Sequence, residues 1–492
     1  MNGAPSGVAR KGLAVVLLAV AQFLVVFDTM VFALGLPMIA AHRQLSFSGL
    51  TWLLSVYGVC FAALPVLAAA IGRAFGQRRV LMGGLALSSI AAAAPALSSD
   101  AGVLLGSRAV QGVAAAAITA CALALIDSTH PRGPGRDRAL NVHFAVVASA
   151  SPAVVLPCSL LLSNVQSEDT VFWVQAVAGL VLLLLAPVAL TESTPVPGAG
   201  AGAARAALAV VPLGFLAWFT DWLGGRSLSV TTVITVAVAG ALVPSALGWF
   251  GRREGVPELF ARLDRDRGAF GAYTVVALLA AGLAGVVFAL TMATQVLGDL
   301  SPMQVGWALL PAVAGVVLGC LALPALAARV GLAATVAGAC GVSAAGFVLL
   351  SLPGAGYGFG DVQLPLLLIA FGCGVLALPA GFARSGSGAL PQGLNSSRQL
   401  GAGLGVTLVT GIIQVAEERT TASTPSGPNP FRAGLEGAVR DCFELGTALC
   451  LTAAVIALLT LPRQAVPAAG PEPDVSGGAP AGTAGSPGSS AR

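Results

Sequence analysis

Residues 13–37 read LAVVLLAVAQFLVVFDTMVFALGLP, an apolar run that carries a single carboxylate, Asp28. A helix needs about 20 apolar residues to cross a membrane, and this run is long enough. Arg10 and Lys11 precede it, as basic residues do in a signal peptide. The run is too long for that, however, and it continues to Pro37 without a clear cleavage site. The segment is therefore predicted to be a retained transmembrane helix.

The composition of the whole chain points the same way. Of its 492 residues, 56% are hydrophobic and only 9% are charged, whereas a soluble protein carries roughly 25% charged residues. These proportions exclude a soluble enzyme, a nucleic-acid binder and a disordered scaffold. They indicate an all-α polytopic membrane protein.

The residue inventory also argues against most cofactor chemistry. Lys11 is the sole lysine and no glycine-rich loop precedes it, so the chain lacks a phosphate-binding P-loop. The eight cysteines and three histidines show no metal-ligand spacing. No nucleophile–base pair is visible, so we predict neither an enzyme nor a bound cofactor or metal.

Fourteen apolar stretches are long enough to span a membrane, with six on either side of a central pair. They are 13–38, 50–71, 79–98, 101–126, 140–162, 171–190, 206–223, 229–250, 270–294, 303–327, 332–352, 363–384, 391–414 and 442–462. Basic residues favour the cytoplasmic side of a membrane. With the amino end inside, eighteen of the 25 lie on that side and five outside, which predicts two cytoplasmic termini.

The spans and the loops between them define the predicted domain organisation. It consists of a cytoplasmic N-terminus (1–12), a six-helix half (13–190), a cytoplasmic loop (191–205), two inserted helices (206–250), a second cytoplasmic loop (251–269), a second six-helix half (270–462) and a disordered tail (463–492). Residues 415–440 are predicted to form a mobile external loop.

The two six-helix blocks repeat some residues at an offset of 255 positions. The matched pairs are Ser46 with Ser301, Trp52 with Trp307 and Gly76 with Gly331. Because each pair falls at the same helix in its block, the pattern predicts a duplicated unit. Two such halves with a site between them are typical of secondary transporters.

Asp28 is the acidic residue best placed for chemistry, because a carboxylate inside a span must be neutral, paired or in contact with water. Arg108, in the fourth span, lies within ~5 Å of the same depth at 1.5 Å per residue. The two are predicted to pair if their helices are adjacent. Two readings remain open: a purely structural ion pair, or a carboxyl that carries a proton while Arg108 tunes it.

Other polar residues in the spans are candidates for lining a substrate cavity. They are Gln22, Gln111, His143, Gln175 and Gln295. Each could instead only hydrogen-bond a neighbouring helix, and the sequence does not decide between the two roles.

Several short motifs then occur in a fixed order along residues 10–462. They are Phe27-Asp28 through Leu36-Pro37, Trp52 with Tyr57, Gly76-Gln77-Arg78-Arg79, Arg108-Ala-Val-Gln111-Gly112, Gln295 through Gly306, and Asn395 through Gly401. Together they resemble the fourteen-helix drug:proton antiporter branch of the major facilitator superfamily. The resemblance implies proton coupling at Asp28 and Arg108. It implies conformational roles for Arg73, Gly76, Arg78, Arg79, Gly112, Pro152, Pro157 and Arg398.

The chain departs from that pattern at three places. Arg73 stands where the family's cytoplasmic loop has Asp, which implies that gating is altered or supported by another residue. The fifth span keeps Pro152 and Pro157 but lacks the glycines of the antiporter motif, which implies looser helix contacts there. Ala33 replaces an Asn of the first helix.

The function implied is export of small organic molecules, driven by protons through alternating access in the plasma membrane. The expected partners are the cargo, protons and lipid, with no nucleic acid, and the expected state is a monomer. Two alternatives stay open: an uptake symporter or uniporter of the same fold, and a non-transporting membrane sensor or scaffold.

Overall fold

The computed structural model describes residues 7–43, 53, 56–61, 64–129, 134–164, 168–193, 195, 267–352, 356–377, 391–423 and 430–463. The predicted inserted helices (206–250), both predicted cytoplasmic loops for most of their length, and the predicted disordered tail beyond residue 463 lie outside these residues. The described chain is helical throughout apart from short turns and connections.

Among the residues that the structure describes, the first half contains six helices and a short helical segment, 56–61. The helices are α1 (Gly7–Arg43), α2 (Pro65–Phe75), α3 (Gln77–Ala96), α4 (Ala101–Thr129), α5 (Pro134–Asn164) and α6 (Glu168–Ala189). Pro65 stands at the first position of α2, where its missing N–H leaves no helical bond unmade.

The described part of the second half, which leaves out 353–355, 378–390 and 424–429, contains seven helices and a 3₁₀ turn. They are α7 (Arg267–Val296), α8 (Pro302–Ala308), α9 (Leu310–Val330), α10 (Leu332–Ser351), α11 (Gln363–Cys373), the 3₁₀ turn Gly374–Ala377, α12 (Pro391–Ser423) and α13 (Pro430–Thr460). Ser301 begins α8 with a capping box, in which its side chain and that of Gln304 each accept the other's backbone N–H.

Most predicted spans coincide with a helix, but two details differ. The predicted span 303–327 is divided at Leu309 into α8 and α9, because Pro311 in the first turn of α9 cannot continue a helical hydrogen-bond ladder. The prediction of a loop over 415–440 is wrong for most of its length, since α12 continues to Ser423 and α13 begins at Pro430. The polar residues there extend helices beyond the apolar stretch.

Helix pairing repeats between the two halves. In the first half α1 contacts α5 and α6, while α3 contacts α4 and α6. In the second half α7 contacts α12 and α13, while α10 contacts α11 and α13. These are the same pairs once the helices are numbered within each half with α8 and α9 counted as one, so the repeat seen in the sequence has a structural counterpart.

Eight helices among the described residues are long and apolar enough to cross a membrane. The inner helices α4 and α7 are mostly enclosed by protein, whereas only a third of the apolar windows of α3 and α13 is buried. The outer helices expose large aliphatic side chains, among them Leu184 of α6, Leu321 of α9 and Leu459 of α13. Such a surface is suited to contact with lipid.

The halves meet where α5 contacts α8 and α9. Gly306 makes this approach possible, because a Cβ at this position would lie 3.0 Å from Cβ of Ser159 and 3.1 Å from Cα of Leu156. The expected looser contact around the fifth span is therefore wrong at this place. The glycine required for close packing is supplied by the opposing helix instead of by α5.

A sharp turn at Gly76 joins α2 to α3, and Gly331 makes the matching turn between α9 and α10. Both glycines have a positive φ, 104° and 89°, a conformation that side chains with a Cβ rarely adopt. A Cβ at Gly76 would also lie 2.7 Å from a carboxylate oxygen of Glu192. The positive φ is the reason that the turn requires glycine, and a larger residue would also displace the Glu192 carboxylate.

Glu192 and its neighbours, which follow α6, cap the N-terminus of α3. Glu192 Oε1 accepts the backbone N–H of Arg78 at 3.0 Å, and Ser193 Oγ accepts that of Gln77 at 2.9 Å. Glu192 Oε2 also lies 3.7 Å from Nε of both Arg78 and Arg79. A carboxylate here satisfies free N–H groups and complements the positive end of the helix dipole.

We expect Glu192→Ala to destabilise the protein by about 1–2 kcal/mol, as the loss of a helix cap does. The measurement is the thermal unfolding midpoint of the purified protein in detergent. Glu444→Ala is the matched control, because Glu444 forms only an exposed pair with Arg440 one turn away, worth less than about 0.5 kcal/mol. Equal shifts in the two variants would contradict the capping role.

Candidate functional site

Asp28 and Arg108 form an ion pair inside the first half. Arg108 Nη1 donates to both carboxylate oxygens of Asp28, at 3.0 Å each. Arg108 is fully buried and Asp28 is 6% exposed. Asp28 lies near the middle of α1, and Arg108 is about 10 Å along α4 from its start at 1.5 Å per residue. The predicted pairing is therefore confirmed, while its part in proton transport stays a prediction.

Two glutamines add further hydrogen bonds to the pair. Gln111 Oε1, one turn after Arg108 on α4, accepts from Arg108 Nη1 at 2.9 Å. Gln175 Nε2, on α6, donates to Asp28 Oδ1. Both glutamines are buried and were predicted as cavity candidates. In this structure they bind the ion pair, so three helices contribute to one polar cluster.

Two aromatic rings enclose the guanidinium of Arg108. Its Cζ lies 4.0 Å from the ring centre of Phe32 and 4.2 Å from that of Tyr57. Phe172 of α6 contacts Phe32 in turn, with ring centres 5.9 Å apart. Cation–π contacts of this kind contribute about 2 kcal/mol or more when the cation is out of water. The rings therefore offset part of the cost of burying the charge.

The Tyr57 hydroxyl is held by α1. Thr29 Oγ1 donates to it at 3.2 Å, and it donates to the backbone oxygen of Val25 at 3.4 Å. The segment that carries Tyr57 also lies against α4, since a Cβ at Gly112 would be 2.6 Å from the Tyr57 carbonyl oxygen. The predicted role of Gly112 in close helix contact agrees with this geometry.

The hydrogen bonding of the cluster is incomplete in a specific way. Arg108 Nε and Nη2 are buried without a hydrogen-bond partner, and so is Gln175 Oε1. A buried polar atom without a partner costs about 1–3 kcal/mol. The cluster therefore holds donors and an acceptor that could bind another group or exchange partners.

The other cavity candidates lie apart from the ion pair's hydrogen bonds. Gln22 is 1% exposed and neither of its amide atoms has a hydrogen-bond partner. His143 of α5 is buried against Phe144, and its Nδ1 has no partner. Gln295 is half-buried and donates to the backbone oxygen of Thr291 on its own helix, at 3.2 Å.

The predicted conformational residues lie at several places in the fold. Gly76, Arg78 and Arg79 meet Glu192 at the turn described above, whereas Arg73, in the last turn of α2, is half-buried. Arg398 is buried on α12 in the second half. Pro157 lies exposed on α5, and the side chain of Pro152 lies outside the described residues.

Sequence reasoning missed the aromatic enclosure and the helix cap. Tyr57 was noted only as a family match, and Phe32 and Phe172 look like ordinary apolar residues in their spans. Glu192 lies just after the sixth span, and the presence of an acid there was the sequence signal that could have predicted a helix cap.

Among the residues that the structure describes, no three His, Cys, Asp or Glu side chains are grouped as metal ligands would be.

Comparison with known proteins gives consistent matches. The family model described as the Major Facilitator Superfamily matches residues 18–413. The chain is 28% identical to the cephamycin export protein CmcT of Amycolatopsis lactamdurans, covering 94% of this chain and 95% of that protein. It is also 28% identical to the puromycin resistance protein pur8 of Streptomyces alboniger, covering 81% of each chain.

A solved structure shows the same fold. It is a bacterial homologue of the human lysosomal transporter Spinster, in an inward-facing and unoccupied conformation. The TM-score is 0.60 with 13% sequence identity, covering 93% of this chain and 98% of that chain. At this identity the likeness concerns the fold alone.

We expect Phe32→Leu to destabilise the protein by about 1–2 kcal/mol more than Phe347→Leu does, because only the first removes a ring that faces a buried cation. Phe347 is a suitable control since it is equally buried, at 1% exposed, on α10. The readout is the thermal unfolding midpoint of each variant in detergent. Indistinguishable losses would mean that the ring acts on Arg108 only through its volume.

Proposed function

The chain belongs to the major facilitator superfamily, and we propose that it is a proton-driven exporter of small organic molecules. Two relatives that it matches along most of their length support export: one is named a cephamycin export protein and the other a puromycin resistance protein. Their names describe different compounds, so the proposal is limited to the class of small organic molecules such as drugs, antibiotics or secondary metabolites.

The proposed arrangement in the membrane follows from the charge distribution. The protein would lie in the plasma membrane as a monomer with fourteen spans, with both termini and most Arg residues on the cytoplasmic side. The two halves, 13–190 and 270–462, would be joined through the inserted pair 206–250. The repeated helix pairing in the two halves supports this division.

The observation that carries the proton part of the proposal is the bond between Asp28 and Arg108. A carboxylate in the membrane interior is stable only while a cation and hydrogen-bond donors hold it. A proton bound by Asp28 removes its charge and weakens its attraction to Arg108. Any movement that separates the two groups therefore favours proton uptake, and any movement that joins them favours release.

Cargo would bind between the halves, and the transporter would expose that site to each side in turn. Gln22 and His143 are proposed to line it, because each has a buried polar atom without a partner that cargo could bind. Binding drives the cycle only to the extent that cargo prefers one state over the other. We assign Gln111 and Gln175 to the ion pair instead, and Gln295 remains a weaker candidate.

The turn at Gly76 is proposed to support gating despite the missing acid at Arg73. Glu192 places a carboxylate beside Arg78 and Arg79, which supplies from α6 the negative charge that the loop itself lacks. The proposal includes no enzymatic step, no resident cofactor and no nucleic-acid partner, in keeping with relatives that are transporters.

The test is ethidium efflux from cells that lack their own main efflux pumps and express the protein. Wild-type efflux should stop when a protonophore collapses the proton gradient, and Asp28→Asn should reduce it to the level of empty cells. Asp100→Asn is the matched control. This variant replaces a carboxylate by an amide, as Asp28→Asn does, but at the exposed start of α4. The Asp100 side chain accepts the Val103 N–H there, and Asn caps a helix as well as Asp does.

Three outcomes would contradict parts of the proposal. Efflux that survives the protonophore would exclude proton coupling. Efflux that survives Asp28→Asn but not the protonophore would keep proton coupling and remove Asp28 from it. Inside-out vesicles settle direction, because an exporter accumulates ethidium when their interior is acidified, whereas a proton symporter expels it.

A further inference from the structure

The side-chain amide of Gln175 uses only one of its two polar atoms. Its Nε2 donates to Asp28 Oδ1, whereas its Oε1 is buried without a hydrogen-bond partner. Gln175 is 4% exposed, so water does not readily satisfy that oxygen. An amide that faces a carboxylate and keeps a free acceptor has the two groups needed to bind both forms of a carboxyl.

Protonation reverses the hydrogen-bonding role of Asp28. The carboxylate only accepts, whereas the acid has an O–H that must donate. We propose that Gln175 is a positioning residue that binds Asp28 in both protonation states by turning its amide. One proton from water binds one carboxylate oxygen, the bond from Gln175 Nε2 breaks, and an O–H···Oε1 bond forms in its place. This inference rests on the proposed proton-carrying role of Asp28.

Of the two described side chains that hydrogen-bond the Asp28 carboxylate, Arg108 and Gln175, only Gln175 can change roles in this way. Arg108, from α4, has only donors. The Tyr57 hydroxyl is occupied by Thr29 and Val25, and the Cys158 thiol of α5 points to the Phe27 carbonyl. Gln175 from α6 is therefore the neighbour that can stabilise the acid.

The proposed switch explains how a proton can load beside a fixed cation. Arg108 favours the charged form of Asp28 and opposes protonation. A partner that can turn to accept from the acid opposes protonation less than a partner fixed as a donor would, while its donation to the anion keeps the released state stable. Gln175 would do each in turn without moving its backbone.

The experiment is an infrared pH titration of the purified protein in lipid, which requires no cargo. The band of protonated Asp28 is the acid C=O band that Asp28→Asn removes. Wild type is compared with Gln175→Leu, Gln175→Glu and Thr119→Val. Thr119 is a control because it is a buried polar residue of α4 whose Oγ1 also lacks a partner, and it lies outside the cluster's hydrogen bonds.

We expect Gln175→Leu to raise the pH of half-protonation of Asp28 by about one unit, roughly tenfold in proton affinity, because a bond to the anion contributes more than one to the acid. The acid band should also move to higher frequency, since the O–H loses its acceptor. In wild type, protonation should shift an amide band that Gln175→Leu removes. Gln175→Glu should raise the midpoint further, because two adjacent carboxylates share a proton.

The inference is overturned if Gln175→Leu leaves both the midpoint and the acid band where Thr119→Val leaves them. It is also overturned if no Gln175 amide band responds to protonation. If Gln175→Leu does not fold, Gln175→Glu decides, and a midpoint equal to wild type contradicts the proposal. A titration without any band that depends on Asp28 would instead remove Asp28 as the proton carrier, a failure of the proposed function itself.

Discussion

The bond between Asp28 and Arg108 is the constraint around which the first half is arranged. Neither charge is stable alone in a membrane interior, and the desolvation of both is repaid only if their remaining hydrogen-bonding groups find partners. Four elements meet part of that requirement, and Arg108 Nε and Nη2 stay without partners among the described residues. α1 supplies the carboxylate, α4 the guanidinium and Gln111, α6 Gln175, and the segment 56–61 the ring of Tyr57.

The helix α6 contacts both the ion pair and the turn at Gly76. Gln175 and Phe172 lie in its first half, beside Asp28 and Phe32, and Glu192 follows its last turn beside Arg78. Gln175 and Ala189 are about 21 Å apart along the axis at 1.5 Å per residue. A rigid-body shift of α6 therefore changes both sets of contacts together. This is a physical route by which the state of Asp28 could be linked to the turn.

The ion pair could be predicted from the sequence. The prediction required only the depth of each residue along its helix and the energetic cost of burying a carboxylate without a partner. The repeat was also predictable, since Gly76 and Gly331 occupy equivalent turns. The surroundings of the pair were not. Which side chains face Asp28 depends on the rotation of each helix, and hydropathy does not fix rotation, so Gln175 looked like any other polar residue in a span. The ends of α12 and α13 were misjudged because hydropathy marks the apolar window, whereas a helix continues for as long as its backbone is hydrogen-bonded.

The two halves share a backbone design but differ in where they place ionisable groups. At the turn in the first half, the N-terminus of α3 is capped by the carboxylate of Glu192. At the matching turn, the Ala333 N–H of α10 is accepted by the neutral carbonyl of Pro462, at 3.2 Å. Both halves bring helices together through glycines, and in the second half Gly401 and Gly405 of α12 lie directly against the backbone of α7. Tight contacts of this kind resist change, whereas a buried ion pair changes its energy with each proton. In the part of the chain that the structure describes, the buried ion pair lies in the first half. Under the proposed function, a rocking motion between the halves would therefore need a chemical change on only one side of the interface.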